Sequence, residues 1–205
     1  WTLSRGLGDV YKRQDEKWPD GAVNRAMIVI DFDGEDPLEE NNLITMHYWM
    51  KDYLDDDRVI NASGYALPSA NMNESEVLQF WQTPDEFLDS DTIASREYLR
   101  EQFISENITF VIFSLTGTIT GETSRDFVSD VRSERGELLS ELNTGEGGVL
   151  MVAGFAAYSL DVLDAIIENL PLALAFILIA TIILIFIQVR SCLLYTSPSP
   201  RDRVQ

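Results

Sequence analysis

Leu170-Pro-Leu-Ala-Leu-Ala-Phe-Ile-Leu-Ile-Ala-Thr-Ile-Ile-Leu-Ile-Phe-Ile-Gln-Val189 carries no charged residue and stops at Arg190. As a helix it would rise about 1.5 Å per residue and cover roughly 30 Å, the thickness of a bilayer's hydrocarbon core. Apolar on every side, it has no face to offer to water. The alternative, a central helix of a soluble domain, asks for more apolar wrapping than an acidic chain of this size supplies. Its place late in the chain excludes a secretory signal. Residues 170–189 are therefore expected to form a transmembrane helix, with Pro171 in its first turn and Arg190 marking a cytoplasmic end. Residues 15–169 are then extracytoplasmic.

The two ends read differently. Ser4-Arg-Gly-Leu-Gly-Asp-Val-Tyr-Lys-Arg-Gln14 and Cys192-Leu-Leu-Tyr-Thr-Ser-Pro-Ser-Pro-Arg-Asp202 are related through their codons. The reverse complement of DNA encoding the first, read one base out of frame, encodes the second. That inverted repeat resembles the transposon end and adapter used in preparing sequencing libraries, so residues 1–14 and 192–205 are read as translated adapter and set aside. The protein proper is expected to run from about residue 15 to 191 and to be a fragment of an open reading frame.

Acidic residues outnumber basic ones by 34 to 15, a formal charge of −19. Discounting the flanks makes the balance more acidic still. Such a surface opposes nucleic acid and anionic headgroups, and suits a salty or cation-rich exterior. The one cysteine, Cys192, falls in a flank, so disulfides, thiol nucleophiles and cysteine metal sites are excluded from the rest. What precedes the apolar run is long enough for one domain with its own core.

Within that domain, Ala26–Phe32 reads as a buried strand and Pro37–Leu54 as an amphipathic helix with Leu43, Met46, Met50 and Tyr53 on one stripe. Arg58–Ser63 follows as a second strand. Residues 69–104 are polar and helix-prone, an insertion with a helix expected from Thr92 to Phe103 behind an Asp91 cap. Ile108–Leu115 is a third strand. A Thr123/Asp126 capping box opens a helix striped with Phe127, Val131, Leu138 and Leu142, and Val149–Ala153 is the fourth strand. The order β-α-β, insertion, β-α-β predicts an α+β fold of ferredoxin-like split type over residues 15–153. One sheet should hold all four strands, with the helices containing Met46 and Val131 on the same face. Residues 154–169 connect it to the apolar run.

Some residues invite a chemical reading. Asp31, Asp33, Glu35 and Asp36 offer hard oxygens to a cation such as Ca²⁺, yet lack the spacing of a calcium loop and are read as a solvated acidic turn. His47 lies on the apolar side of its helix, where a packed histidine is expected rather than a base. Asn61-Ala-Ser, Asn73-Glu-Ser and Asn107-Ile-Thr are glycosylation-type sequons. No nucleophile–base pair, phosphate loop or metal spacing is present in the sequence, so neither a cofactor nor enzymatic chemistry is expected.

Gly154-Phe-Ala-Ala-Tyr-Ser-Leu-Asp161, Leu163-Asp-Ala-Ile166, Asn169-Leu-Pro-Leu172 and the closing Gln188-Val-Arg-Ser191 resemble the passage from outer domain to membrane helix in MMPL-type exporters of the resistance–nodulation–division superfamily. Thr123–Arg132 resembles the helix that precedes this passage there. The family often has two adjacent glycines where this chain has Ala153-Gly154. The resemblance, covering 108–191 best, implies a polytopic exporter of hydrophobic or lipidic molecules driven by the proton-motive force. Its further membrane helices, which carry the proton-bearing acids, would be partners of this segment, and oligomerisation stays open. Gly154, Asp161 and Arg190 are the junction residues on this reading. Phe80, Trp81 and Phe87 of the insertion could line a substrate path, or simply pin the insertion to its domain. The other class of function is a single-pass, membrane-anchored binding or sensing module, which differs by having no further spans after Ser191.

Overall fold

A computed structural model describes residues 24–195. Residues 1–23 and 196–205, with the leading stretch read as adapter and most of the trailing one, lie outside the described residues. The strands are β1 (Arg25–Asp31), β2 (Val59–Gly64), β3 (Ile104–Ser105), β4 (Ile108–Leu115) and β5 (Val149–Ala153). The helices are α1 (Glu40–Leu54), α2 (Glu74–Gln82), α3 (Ser90–Phe103), α4 (Glu122–Glu141) and α5 (Phe155–Tyr195), with a 3₁₀ turn at Asp85–Phe87. The chain divides into two compact units, one ending at Leu160 and the other beginning at Asp161.

The first unit is an α+β domain on a five-stranded sheet. Its order is β2-β4-β1-β5, with the short β3 also paired to β4, and every pairing is antiparallel. Each strand pair joined by a helix therefore has a strand of the other pair between its members. All four expected strands share this sheet.

Strict alternation builds one wet and one dry face. In β4, Thr109, Val111, Phe113 and Leu115 are buried while the residues between them are half-buried. Register aligns Ile28 with Val111 and Ala26 with Phe113, so the apolar sets of neighbouring strands fall on one face. Tyr53 of α1 and Phe127 of α4 both pack on Phe113, at ring-centroid distances of 5.4 Å each, and on each other at 5.2 Å. The two helices thus cover the same side, as the alternation of elements predicts. Each fully buried aromatic or aliphatic side chain there contributes about 1.5–3 kcal/mol. On the opposite face Met27 lies across from Ile112, and Val29 across from Phe110 and Met151. Met151 is 52% exposed.

Several local expectations are corrected. Helix α1 begins at Glu40 rather than Pro37, which sits in the turn before it, where Asp36 Oδ1 accepts from Leu38 N. The cap of α3 is Asp89, whose carboxylate accepts from the amides of Asp91 and Thr92. Thr123 makes no capping box: α4 begins at Glu122 behind Gly121, without a side-chain cap. Here Ser124 is drawn inward instead, accepting from Asn24 Nδ2 at 2.8 Å and donating to Thr118 O.

The apolar run of residues 170–189 is continuous with a helical lead: the helix opens at Phe155, so Pro171, expected in a first turn, lies in its interior. Nothing between Phe155 and Asn169 breaks a helix, since the run holds neither Gly nor Pro. The helix also runs on through Cys192-Leu-Leu-Tyr195, into the stretch read as adapter, because these residues too hold no breaker. Phe155–Val189 has a mean hydropathy of 3.0 over its most apolar window and is long and apolar enough to cross a membrane.

Candidate functional site

The insertion is a pair of helices with separate caps. Asn73 Oδ1 accepts from Glu76 N at 3.1 Å and Glu76 Oε2 accepts from Asn73 N at 2.8 Å, a reciprocal box opening α2. Val77, Phe80 and Trp81 form its buried stripe, and Trp81 Nε1 donates to Tyr65 O at 3.0 Å. At α3, Asp89 Oδ2 also accepts from Thr92 Oγ1, and this bond from Thr92 is the main reason its carboxyl is held below the usual carboxylate range. Arg96 of α3 then ties the pair together. Its guanidinium donates to Thr83 O at 2.9 Å, to Phe80 O, and to Asp85 Oδ1 at 2.9 Å, and lies over the Phe80 ring. Positive charge at the carbonyl end of α2 is where the helix dipole favours it.

Between the two helices runs an open cleft of about 640 Å³. One wall is Glu76, Gln79 and Phe80, one turn of α2; the other is Thr92, Ser95 and Leu99 of α3. Met72, Phe80, Leu88 and Leu99 supply apolar surface, and Glu76 with Asp91 supplies carboxylates. The lining holds no basic side chain. Such a mixture of apolar walls and a few polar groups can take an amphipathic molecule, and its volume falls in the roughly 300–1,000 Å³ range of small-molecule sites.

The three aromatic residues expected on a substrate path have different fates. Phe80 and Trp81 stack edge to face at 5.3 Å and are both nearly buried. Only Phe80 reaches the cleft; Trp81 faces the domain and pins the insertion. Phe87 is 74% exposed on the 3₁₀ turn and does not line it. Leu88 belongs to the apolar pair Phe87-Leu88 of the insertion, whereas Leu99 carries a weaker signal, recurring with Thr92 and Ser95 at the spacing of one helical face.

Of the junction residues, Gly154 has a clear structural reason. Its φ is +109°, and a Cβ there would meet Arg25 O at 2.8 Å. Asp161 is an exposed position in the early turns of α5, and Arg190 belongs to its last turns.

The acidic turn after β1 is built into the fold. Asp31 Oδ1 accepts from Asn107 Nδ2 at 2.7 Å and from Asp33 N at 2.9 Å. Asp33, itself left-handed at φ 51°, points a carboxylate at the glycine loop before β5, where Gly147 N donates to it at 2.8 Å. A Cβ at Gly145 would come within 2.6 Å of Asp33 O, so this approach requires glycine. Among the described residues no group of three or more His, Cys, Asp or Glu side chains is placed to hold a metal ion. His47 is packed, its Nδ1 3.0 Å from Ala66 O. The sequon asparagines are all engaged, Asn107 with Asp31, Asn73 as the α2 cap and Asn61 more loosely with Ser63 Oγ at 3.4 Å.

At the carboxyl end of α1, Arg58 joins Asp56 and Asp130, each at 2.7 Å, and lies over Phe127. Hydrogen bonding from Arg58 holds the Asp56 carboxyl below its ordinary range. Tyr53, whose hydroxyl donates to Glu134 Oε2 at 2.7 Å, has its pKa raised first by burial and then by that bond. This cluster clips α4 to the end of α1. No protein-family model, curated protein or solved structure matches the chain.

Proposed function

We propose that this chain is a segment of a proton-motive-force-driven exporter of hydrophobic or lipidic molecules, of the MMPL type in the resistance–nodulation–division superfamily. It supplies one outer porter domain and one membrane helix, with residues before the span extracytoplasmic and the end near Arg190 cytoplasmic. The single observation that carries this reading is the layout of β5 and α5: the last sheet strand ends at Ala153, one left-handed glycine follows, and the apolar helix begins at Phe155. The junction residues named from the resemblance fall on that layout. Further support comes from the sheet. Two interleaved β-α-β units with both helices on one face are what a ferredoxin-like porter domain requires.

On this reading the outer domain does no bond-breaking chemistry. It receives substrate, and the work of transport is done by membrane helices beyond this segment. The test begins with genomic DNA across both ends of the segment. Further hydrophobic spans after Ser191, with acidic residues inside them, are the expected result; a single span with none following would replace transport with the anchored binding module. Expression of the whole protein in inverted vesicles, with uptake of a fluorescent lipid followed before and after collapse of the proton gradient, then tests the energy source.

A further inference from the structure

The cleft between α2 and α3 is lopsided in charge. Carboxylates of Glu76 and Asp91 stand on its two walls, and no Lys or Arg is among the residues that line it. Of the apolar lining, Phe80 is nearly buried and Leu88 and Leu99 are half-buried, so apolar surface remains open to a guest. The helix pair does not depend on that guest, because Arg96 holds α3 to the end of α2 through the Phe80 and Thr83 carbonyls. The walls are therefore set before anything binds, which lowers the ordering cost of binding.

We infer that this cleft is a binding site for hydrophobic monocations, molecules with a bulky apolar body and a single diffuse positive charge. The body fits the apolar surface of Phe80, Leu88 and Leu99, and the charge lies between Glu76 and Asp91. An anion of the same shape would meet two carboxylates and no basic side chain in the lining, the nearby Arg96 being already paired with Asp85 and Lys51 already donating to Met72 O, inside a molecule of net charge −19, and is rejected. A compact, strongly hydrated cation is excluded for the opposite reason, since the apolar surface offers nothing in return for its lost water. The inference deepens the export reading by naming a ligand class, and rests on it only for the fate of the bound ligand.

Tetraphenylphosphonium and tetraphenylborate are nearly equal in shape and opposite in charge, so they separate the two contributions. The full chain in nanodiscs of neutral phosphatidylcholine is dialysed against each ion, with empty nanodiscs subtracting partition into lipid. Saturable binding of the phosphonium is expected, with the borate at least about tenfold weaker. The double variant Glu76→Gln, Asp91→Asn should weaken the phosphonium about fivefold to tenfold, the range for two water-accessible charge pairs. A glutamine side chain at the first position can still accept from the Asn73 amide, so the α2 cap is kept. A second variant, Ser95→Trp, fills the cleft from an exposed helix position and should abolish binding. Borate binding as tightly as phosphonium, or phosphonium binding unchanged in either variant, overturns the site. No proton gradient is present in this assay. Failure here leaves the export reading standing, whereas intact binding with no gradient-dependent uptake in vesicles overturns that reading and leaves the site.

Discussion

Gly154 combines a backbone angle that side chains rarely adopt with an approach of 2.8 Å to the Arg25 carbonyl at the position its Cβ would occupy. Gly154→Ala should therefore cost roughly 1–3 kcal/mol from strain alone, and more from the clash. Gly117, at φ +74° with open space around it, is the internal control. Its alanine variant carries strain without contact, and denaturant midpoints should rank Gly154→Ala as the more damaging. At Asp56 the sign of a pH effect can be worked out. A folded-state carboxyl lowered by Arg58 adds stability that is present above its unfolded pKa and is lost as pH falls through the folded value. Asp56→Asn should thus cost about 0.5–1 kcal/mol at neutral pH, as expected for a pair still within reach of water. Below the folded pKa wild type and variant should converge in urea titrations; a gap that persists in acid would assign the loss to something other than the ion pair.

At the scale of elements, β4 was legible in the sequence to both ends because Ile108–Leu115 is a run of β-branched and aromatic residues and its neighbours are turn-forming. The caps were less legible. Asp89, Asp91 and Thr92 all suit a helix start, and only the hydrogen bonds select Asp89. Asn73 was visible as a sequon while its partner Glu76, three residues on, made it a cap. The cleft could not be read at all, since it depends on Arg96 crossing from α3 to the end of α2, a contact that no local pattern encodes. That contact is testable by itself. Arg96→Met keeps the apolar stem and removes the donors, and should raise amide exchange across Ser90–Phe103 about tenfold or more while leaving β1 and β4 protected. Equal loss of protection in the sheet would show that Arg96 supports the whole domain rather than the insertion.

For the whole molecule, a formal charge of −19 repels itself over the surface of a small domain. Screening length falls from about 10 Å at 0.1 M salt to about 3 Å at 1 M, so KCl should raise the melting temperature by several degrees across that range. A flat or falling melting temperature would remove self-repulsion from the account. The apolar helix carries a different kind of instruction. Pro171 has no amide hydrogen to give to the carbonyl of Ile167, and Asn169 Nδ2 already donates to Ala165 O at 2.7 Å. An unpaired carbonyl is costly in hydrocarbon and harmless where water reaches it. From Leu170 to Ile187 the one polar side chain, Thr181, is satisfied by Ile177 O, and with Gln188 and Val189 at the far end the run matches roughly 30 Å. In a bilayer the proline therefore draws a waterline on the helix. An environment-sensitive dye on a cysteine replacing Glu168 should report a wet headgroup layer, and one replacing Leu178 the dry interior. Exchanging Pro171 with Leu174 frees the Leu170 carbonyl instead and should shift the helix outward by about one turn, leaving the first dye wet and bringing the second nearer the headgroups.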